Sequence, residues 1–230
     1  MLHIIWQDYR LTNHIIIERI SQTYITSLER ITALQLLPIA ATVVASGIGA
    51  EIAEVQNESG DHHRALGTVL VSFILWGMGI PLAMTVLVIY YQRLAVHKLP
   101  AREMIASCFL PLGPLGFGGY SVLYLGKVAR IIFNSNYHNP LSSTADAHPL
   151  ASAGDIVYVL GLLVSLLMWS FGLIWLVFAL AAVLHCSPFP FNMGWWGFTF
   201  PLGVYSASTI LLGEEMDVSF FRVLGTVRII

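Results

Sequence analysis

The chain has 230 residues, of which 57% are hydrophobic and 10% are charged, and its formal net charge is −2. Soluble proteins carry about 25% charged residues, so this composition excludes an ordinary soluble protein. The sequence has no basic tract of the kind that binds nucleic acid, and its two cysteines, Cys108 and Cys186, predict no disulfide framework.

The first 27 residues differ from the remainder because charged side chains interrupt every apolar run in them. No membrane-spanning helix fits such a segment. We interpret residues 1–27 as a leader that is either amphipathic, lying at the membrane interface, or disordered. Residues 28–230 are interpreted as a membrane domain.

Long charge-free segments dominate the membrane domain. Residues 156–213 contain no Asp, Glu, Lys or Arg, and a turn signal at 185–190 divides them. About 20 apolar residues cross a bilayer as one helix, so the sequence predicts an all-α, multi-pass membrane protein. The predicted spans are 31–53, 66–91, 104–132, 156–184 and 193–213, and the start of a sixth lies at 218–230.

The distribution of basic residues predicts the orientation of these spans. Residues 92–103 include Arg93, His97, Lys98 and Arg102, which the positive-inside rule places in the cytosol. The segments on the other side, 55–64 and 133–155, are long, polar and poor in Lys and Arg. The first of them contains the glycosylation sequon Asn57-Glu58-Ser59, which suits an external loop.

The predicted spans are of two kinds. The second and fourth are dense in large apolar residues and are predicted to face lipid. The first, third and fifth are rich in small residues and proline, which favour close helix packing or a broken backbone beside a passage. The residues predicted to kink these inner helices are Pro38, Pro111, Pro114, Gly116 and Pro201.

This pattern leaves two interpretations open. Small residues could mark tight packing in a receptor or membrane enzyme, or hairpins arranged around a central pore. No membrane-enzyme motif is present, and the scarcity of acidic residues in the spans disfavours a proton or cation pathway. An anion pathway needs no carboxylates, since exposed N–H groups and helix N-termini supply positive potential.

Five sequence blocks occur in order along the chain. They are LLPIAA at 36–41, WGMGIPLA at 76–83, QRL with HKLP between 92 and 100, LPLGPLG at 110–116 and FNMGWWGFTFPLG at 191–203. These blocks resemble the tellurite-resistance, malic acid transporter and slow anion channel family, especially its fungal sulfite-efflux branch. The resemblance covers residues 28–225 and includes nothing in 1–27.

The resemblance implies a ten-helix fold of five hairpins around a pore lined by the odd helices. The chain resembles the second half of that fold, from the fifth helix to the start of the tenth. The implied function is transport of a small anion, most specifically sulfite efflux across the plasma membrane. The alternatives are malate or C4-dicarboxylate transport by the same fold, or an inactive fragment. The resemblance implies homo-oligomers in lipid, with no enzymatic activity, cofactor or nucleic-acid partner.

In this family an aromatic side chain of the ninth helix plugs the pore. The matching stretch is 198–201, in which we assign the gate to Phe200 because it precedes Pro201, with Phe198 as the second choice. The alternative for either residue is a packed aromatic side chain in a membrane helix.

Four basic residues are candidates for attracting anions to the pore mouths. Lys127 ends the third span and could act at the outer mouth, unless it only reaches the interface. His97, Lys98 and Arg102 could act at the cytosolic mouth, unless they only set topology. A positive potential is therefore expected at both mouths. Glu214 and Glu215 are predicted to lie in a solvated loop.

Overall fold

The computed structural model describes residues 33–97, 102–137, 153–186 and 193–227, which contain no β-strand. The predicted leader at 1–27 lies outside these ranges. The α-helices are α1 (Leu36–Glu58), α2 (His62–His97), α3 (Leu112–Tyr137), α4 (Ala153–Cys186), α5 (Trp196–Met216) and α6 (Ser219–Val227). Short 3-10 helices at Ala33–Gln35, Arg102–Phe109 and Met193–Trp195 precede α1, α3 and α5. The prediction of an all-α membrane protein is confirmed.

Four stretches are long and apolar enough to cross a membrane: Ala33–Glu58, His62–Val96, Ile105–Asn134 and Ala153–Cys186. They correspond to the first four predicted spans. The fifth predicted span corresponds to α5, whose 21 residues extend about 32 Å. It is not among the four because Gly, Ser, Thr, Pro and Trp lower its mean hydropathy.

The connection between α1 and α2 is tighter than the predicted loop at 55–64. Both helices continue into that segment and leave only residues 59–61 between them. The Ser59 hydroxyl donates to the Val55 carbonyl at 2.7 Å, and Gly60 has a φ of 84° that suits glycine. The Asp61 carboxylate accepts from the Arg64 backbone N–H, which caps α2. These hydrogen bonds at the helix ends therefore allow α1 and α2 to extend into a segment that contains charged residues.

Contacts between the helices fix their directions. Ser121 of α3 approaches Val43 of α1, and Tyr124, further along α3, hydrogen-bonds to Glu54, further along α1. The contacts advance in the same direction on both helices, so α1 and α3 are parallel. In α5, Tyr205 lies beside Gly116 of α3, and further along Glu215 pairs with Lys127, so α5 is parallel to both. The pairs Gly126–Tyr158 and Gly118–Met168 show that α4 runs antiparallel to α3.

The third span is the centre of the fold. α3 packs against α1, α2, α4 and α5, whereas no extensive contact joins α1 to α5 among the described residues. The Pro- and Gly-rich helices therefore lie side by side in the order α1, α3, α5. Most exposed large apolar side chains belong to α2 and α4, as expected for helices that face lipid.

The tryptophans of α4 depart from the expectation of a lipid-facing surface. Trp169 is buried, stacks on Tyr205 at 6.1 Å and donates its indole N–H to Thr209. Trp175 is also buried and stacks on Tyr90 of α2. Both large rings pack against other aromatic rings inside the helix bundle, and the polar N–H of Trp169 has a hydrogen-bond acceptor there.

The predicted proline kinks are partly wrong. Pro38 and Pro114 are the third residues of α1 and α3, and Pro111 immediately precedes α3. The N–H groups of a first helical turn have no intrahelical acceptor, so a proline there starts a helix without breaking it. Pro201 lies inside α5, and Pro81, which the prediction omitted, lies inside α2. Of the prolines in the described ranges, these two remove a bond from a helix interior.

Gly116 also has a different role from the predicted kink. A Cβ placed on it would lie 2.7 Å from the Tyr205 Cα and 2.9 Å from the Tyr205 backbone nitrogen. The glycine therefore allows the α3 and α5 backbones to approach each other closely. Gly161 similarly approaches the Val122 carbonyl where α4 crosses α3.

The predicted topology can be tested by thiol labelling. In a variant without Cys108 and Cys186, we expect a cysteine at the exposed His63 to react with an impermeant reagent applied to intact cells. A cysteine at position 98 should react only after permeabilisation, because the basic segment favours the cytosol. A permeant reagent serves as the control for reactivity. Labelling of position 98 from outside would overturn the orientation.

Candidate functional site

One face of α3 is less buried than the rest of the helix. Its residues recur every three or four positions, which places them in a single line along the helix. We call this line the α3 stripe, and it consists of Gly113, Phe117, Tyr120, Tyr124 and Lys127. Apart from Gly113, all are only partly buried, in contrast to the rest of this helix up to residue 129.

The first half of the stripe is uncharged and lies beside Phe200. The Phe200 ring is 43% exposed, and its edge lies 3.5 Å from the position of a Cβ on Gly113. Gly203, one turn later in α5, has open space beside it. Phe200 therefore projects beside the stripe between two parallel helices, where a change of rotamer meets few neighbours.

Phe198, the second gate candidate, occupies a different environment. Its ring meets Phe109 edge to face at 4.9 Å and Trp195 at 5.7 Å, and it packs against the hydrophobic core. Aromatic contacts of this kind stabilise a fold and restrict ring motion. The geometry therefore favours Phe200 over Phe198 as a movable side chain.

The second half of the stripe is polar. The Tyr120 hydroxyl donates to the Glu51 carboxylate at 3.0 Å, and the Tyr124 hydroxyl donates to Glu54. The two tyrosine rings stack with centroids 5.6 Å apart and an interplanar angle of 15°. Two carboxylates of α1 are thereby fixed beside the stripe.

Lys127 ends the stripe in an ion pair. Its ammonium lies 2.8 Å from the Glu215 carboxylate, which also accepts from the Tyr158 hydroxyl at 2.8 Å. Glu214 and Glu215 belong to α5, so the prediction of a solvated loop is wrong. The charge of Lys127 is balanced by Glu215, and with Glu51 and Glu54 nearby this end of the stripe is acidic. The expected positive potential at the outer mouth is not what the described residues provide.

The predicted cytosolic end has a different electrostatic character. The parallel helices α1, α3 and α5 all begin there, and helix N-termini carry partial positive charge. The side chains of His97 and Arg102, and all of Lys98, lie outside the described part of the chain. Their role as anion attractors stays a prediction.

Two further features of the described residues concern metal-ligating side chains and a cavity. Across the described ranges, no three His, Cys, Asp or Glu side chains are arranged to hold a metal ion. An apolar cavity of about 520 Å³ lies between α2 and α4 and is lined by residues including Tyr91, Trp175 and Phe178.

The tyrosine–carboxylate contacts did not emerge from the sequence. Tyr120 and Tyr124 are four residues apart and Glu51 and Glu54 are three apart, so each pair was predictable as one helix face. Nothing local indicates that these two faces meet, since the hydrogen bonds join residues about 70 positions apart in the chain.

The Lys127–Glu215 pair predicts energetic coupling. Single Lys127→Gln or Glu215→Gln should each lower the melting temperature, and the double variant should recover part of the loss, with a coupling of about 1 kcal/mol for a partly exposed pair. The side chains are 37% and 14% exposed. Thermal unfolding of the four proteins in detergent measures the coupling.

The matched control is the more exposed Arg64–Asp61 pair, whose coupling should be smaller. Strictly additive effects at Lys127 and Glu215 would contradict a structural pair. A loss of anion flux in Lys127→Gln with unchanged stability would instead support the anion-attracting role.

Comparison with known proteins gives matches over most of the chain. The profile of the voltage-dependent anion channel (SLAC1) family matches residues 4–230. The sulfite efflux pump of Arthroderma benhamiae is 47% identical over 203 residues, covering 87% of this chain and 50% of that protein. The sulfite efflux pump of Candida albicans is 29% identical over 218 residues, covering 86% of this chain and 42% of that protein.

A more distant match is an uncharacterized transporter of Methanocaldococcus jannaschii, which is 31% identical over 162 residues, 69% of this chain and 40% of that protein. The chain spans about half the length of the fungal relatives it matches at 47–48% identity. No solved structure matches it. The family match includes residues 4–27, and a leader boundary at residue 27 stays a prediction.

Proposed function

The chain belongs to the voltage-dependent anion channel (SLAC1) family, and on this premise we propose that it exports sulfite across the plasma membrane. The observation that carries the proposal is its similarity to three fungal sulfite efflux pumps, at 47–48% identity over 87% of the chain. The alternative is that the same fold transports malate or another C4-dicarboxylate. The experiment below separates this alternative from sulfite transport.

The physical basis of the proposal is passage along the α3 stripe. An anion in the cytosol is attracted by the N-termini of three parallel helices, whose partial positive charges face the same end. It then meets the uncharged surface formed by Gly113, Phe117 and Phe200. An apolar constriction of this kind excludes hydrated ions until the ring moves aside.

Phe200 is the gate in this proposal. It is the large exposed aromatic side chain that lies against the start of the stripe, and it precedes Pro201. Pro201 removes the backbone bond that residue 201 would make to the carbonyl of Gly197, which loosens the helix turn carrying the gate. Transport of this kind requires no covalent step and no cofactor.

The proposed partners follow from the same surfaces. The substrate is a small inorganic anion, and the exposed apolar faces of α2 and α4 are proposed to contact lipid. Assembly into a homo-oligomer is a further proposal, drawn from the family resemblance. No nucleic-acid partner is proposed.

The experiment is anion flux in proteoliposomes containing the purified protein. Sulfite, malate, nitrate and chloride are compared at equal gradients, with protein-free vesicles as the control. We expect protein-dependent sulfite flux that exceeds malate flux. Faster malate than sulfite would replace the substrate assignment, and the absence of protein-dependent flux for every anion would overturn the transport function.

A further inference from the structure

We propose that Glu51 and Glu54, held in place by Tyr120 and Tyr124, make the pathway discriminate between anions by charge and favour singly charged over doubly charged ones. The inference rests on the proposed function, since it requires that anions pass along the α3 stripe. It narrows the substrate class within that function.

The hydrogen bonds fix the carboxylates beside the pathway. Each tyrosine hydroxyl donates its proton to a carboxylate, so the negative charges of α1 are fixed against α3 and cannot turn freely into solvent. The stacked rings of Tyr120 and Tyr124 continue the aromatic line that begins at Phe117, whose ring lies 5.4 Å from that of Tyr120. An anion that has passed Phe200 next meets these two charges.

Within the described ranges, the neighbouring basic groups do not compensate this negative charge. Lys127 is the stripe's own cation, and Glu215 binds it at 2.8 Å. Glu214 adds a further exposed carboxylate on α5. Arg130 faces α4, where it pairs with Asp155 at 2.7 Å. Among the described residues, the glutamates of α1 and α5 beside the polar half of the stripe outnumber its one lysine, so the charge that lines this half is negative.

Repulsion by fixed carboxylates grows in proportion to the charge of the passing ion. Two unit charges about 6 Å from the ion in a water-like medium slow a monoanion about tenfold and a dianion about a hundredfold. The same contacts therefore impose about a tenfold preference for the monoanion. Hydrogen sulfite carries one charge, whereas the malate dianion carries two, so the arrangement favours the sulfite-related substrate over the dicarboxylate.

The test compares nitrate and sulfate, because the charges of these two ions do not change near neutral pH. Flux of each is measured in proteoliposomes for the unmodified protein and for the Glu51→Gln/Glu54→Gln double variant. Glutamine retains a carbonyl oxygen that accepts the tyrosine hydroxyl, so the helix contacts are preserved. We expect the nitrate-to-sulfate flux ratio to fall about tenfold in the double variant, mainly through faster sulfate.

Asp155→Asn is the matched control, since it removes one carboxylate from the same end of the fold at the α3–α4 contact. It should leave the ratio unchanged. A second variant, Tyr120→Phe/Tyr124→Phe, keeps the rings and releases the carboxylates, and should lower the ratio by less than the glutamine variant.

Two results would overturn the inference in distinguishable ways. An unchanged ratio in the glutamine and phenylalanine variants, with nitrate flux intact, refutes charge discrimination and leaves the transport function standing. The absence of nitrate, sulfate and sulfite flux in the unmodified protein refutes the transport function and the inference with it.

Discussion

Replacing Phe200 with alanine is expected to raise anion flux per folded molecule severalfold or more. The ring is 43% exposed beside the uncharged half of the α3 stripe, so its removal leaves a wider and less apolar passage. Few packing contacts are lost, and the melting temperature should change little. Flux in proteoliposomes, normalised to folded protein by size-exclusion chromatography, measures the effect.

Phe198→Ala is the natural comparison because the two rings differ in their environments. Phe198 packs against Phe109 and Trp195, so truncation should leave a cavity and cost about 3–5 kcal/mol, by analogy with soluble cores. Flux should fall with the yield of folded protein. Raised flux in Phe198→Ala but not in Phe200→Ala would move the gate to residue 198, and no increase in either would remove the gating hypothesis.

Gly116→Ala is expected to destabilise the fold by about 1–3 kcal/mol, a large effect for one added methyl group. The new Cβ would lie 2.7 Å from the Tyr205 Cα and 2.9 Å from the Tyr205 backbone nitrogen. Backbone atoms cannot move aside as the end of a flexible side chain can, so α3 and α5 must separate. The expected result is a lower melting temperature in detergent and a lower yield of folded protein.

Gly77→Ala provides the control for this substitution. Gly77 lies inside α2 with nothing within 4 Å of its added Cβ, so the methyl group meets no neighbour. Alanine favours a helix over glycine by up to about 1 kcal/mol, so stability should stay equal or rise. If Gly77→Ala and Gly116→Ala lowered stability equally, close approach of α3 and α5 would not be the cause.

The sequence predicted the helices well because their signals are local. Residues 156–213 contain no charged side chain, and such a stretch can be solvated only by lipid or by other apolar helices. The helix ends were less predictable. α1 continues to Glu58 and α2 begins at His62, because Ser59 and Asp61 satisfy backbone groups at the turn.

The prolines show how position decides the effect of a residue. Their content of small residues and proline grouped α1, α3 and α5 together, and in the structure these helices lie side by side. Pro38 and Pro114 nevertheless occupy first turns, where they break no bond, whereas Pro201 lies inside α5. The difference depends on where each helix begins, and hydropathy locates that point only within several residues.

The sequence by itself determined the membrane class, the order of the spans and the family, since hydropathy and motif blocks are properties of contiguous residues. Only the tertiary structure decided which charges act together. Lys127 meets Glu215, and Tyr120 and Tyr124 meet Glu51 and Glu54, across separations of about 70 to 90 residues. Helix packing sets those distances, so the carboxylates that surround the polar half of the α3 stripe could not be predicted from the sequence pattern of any one helix.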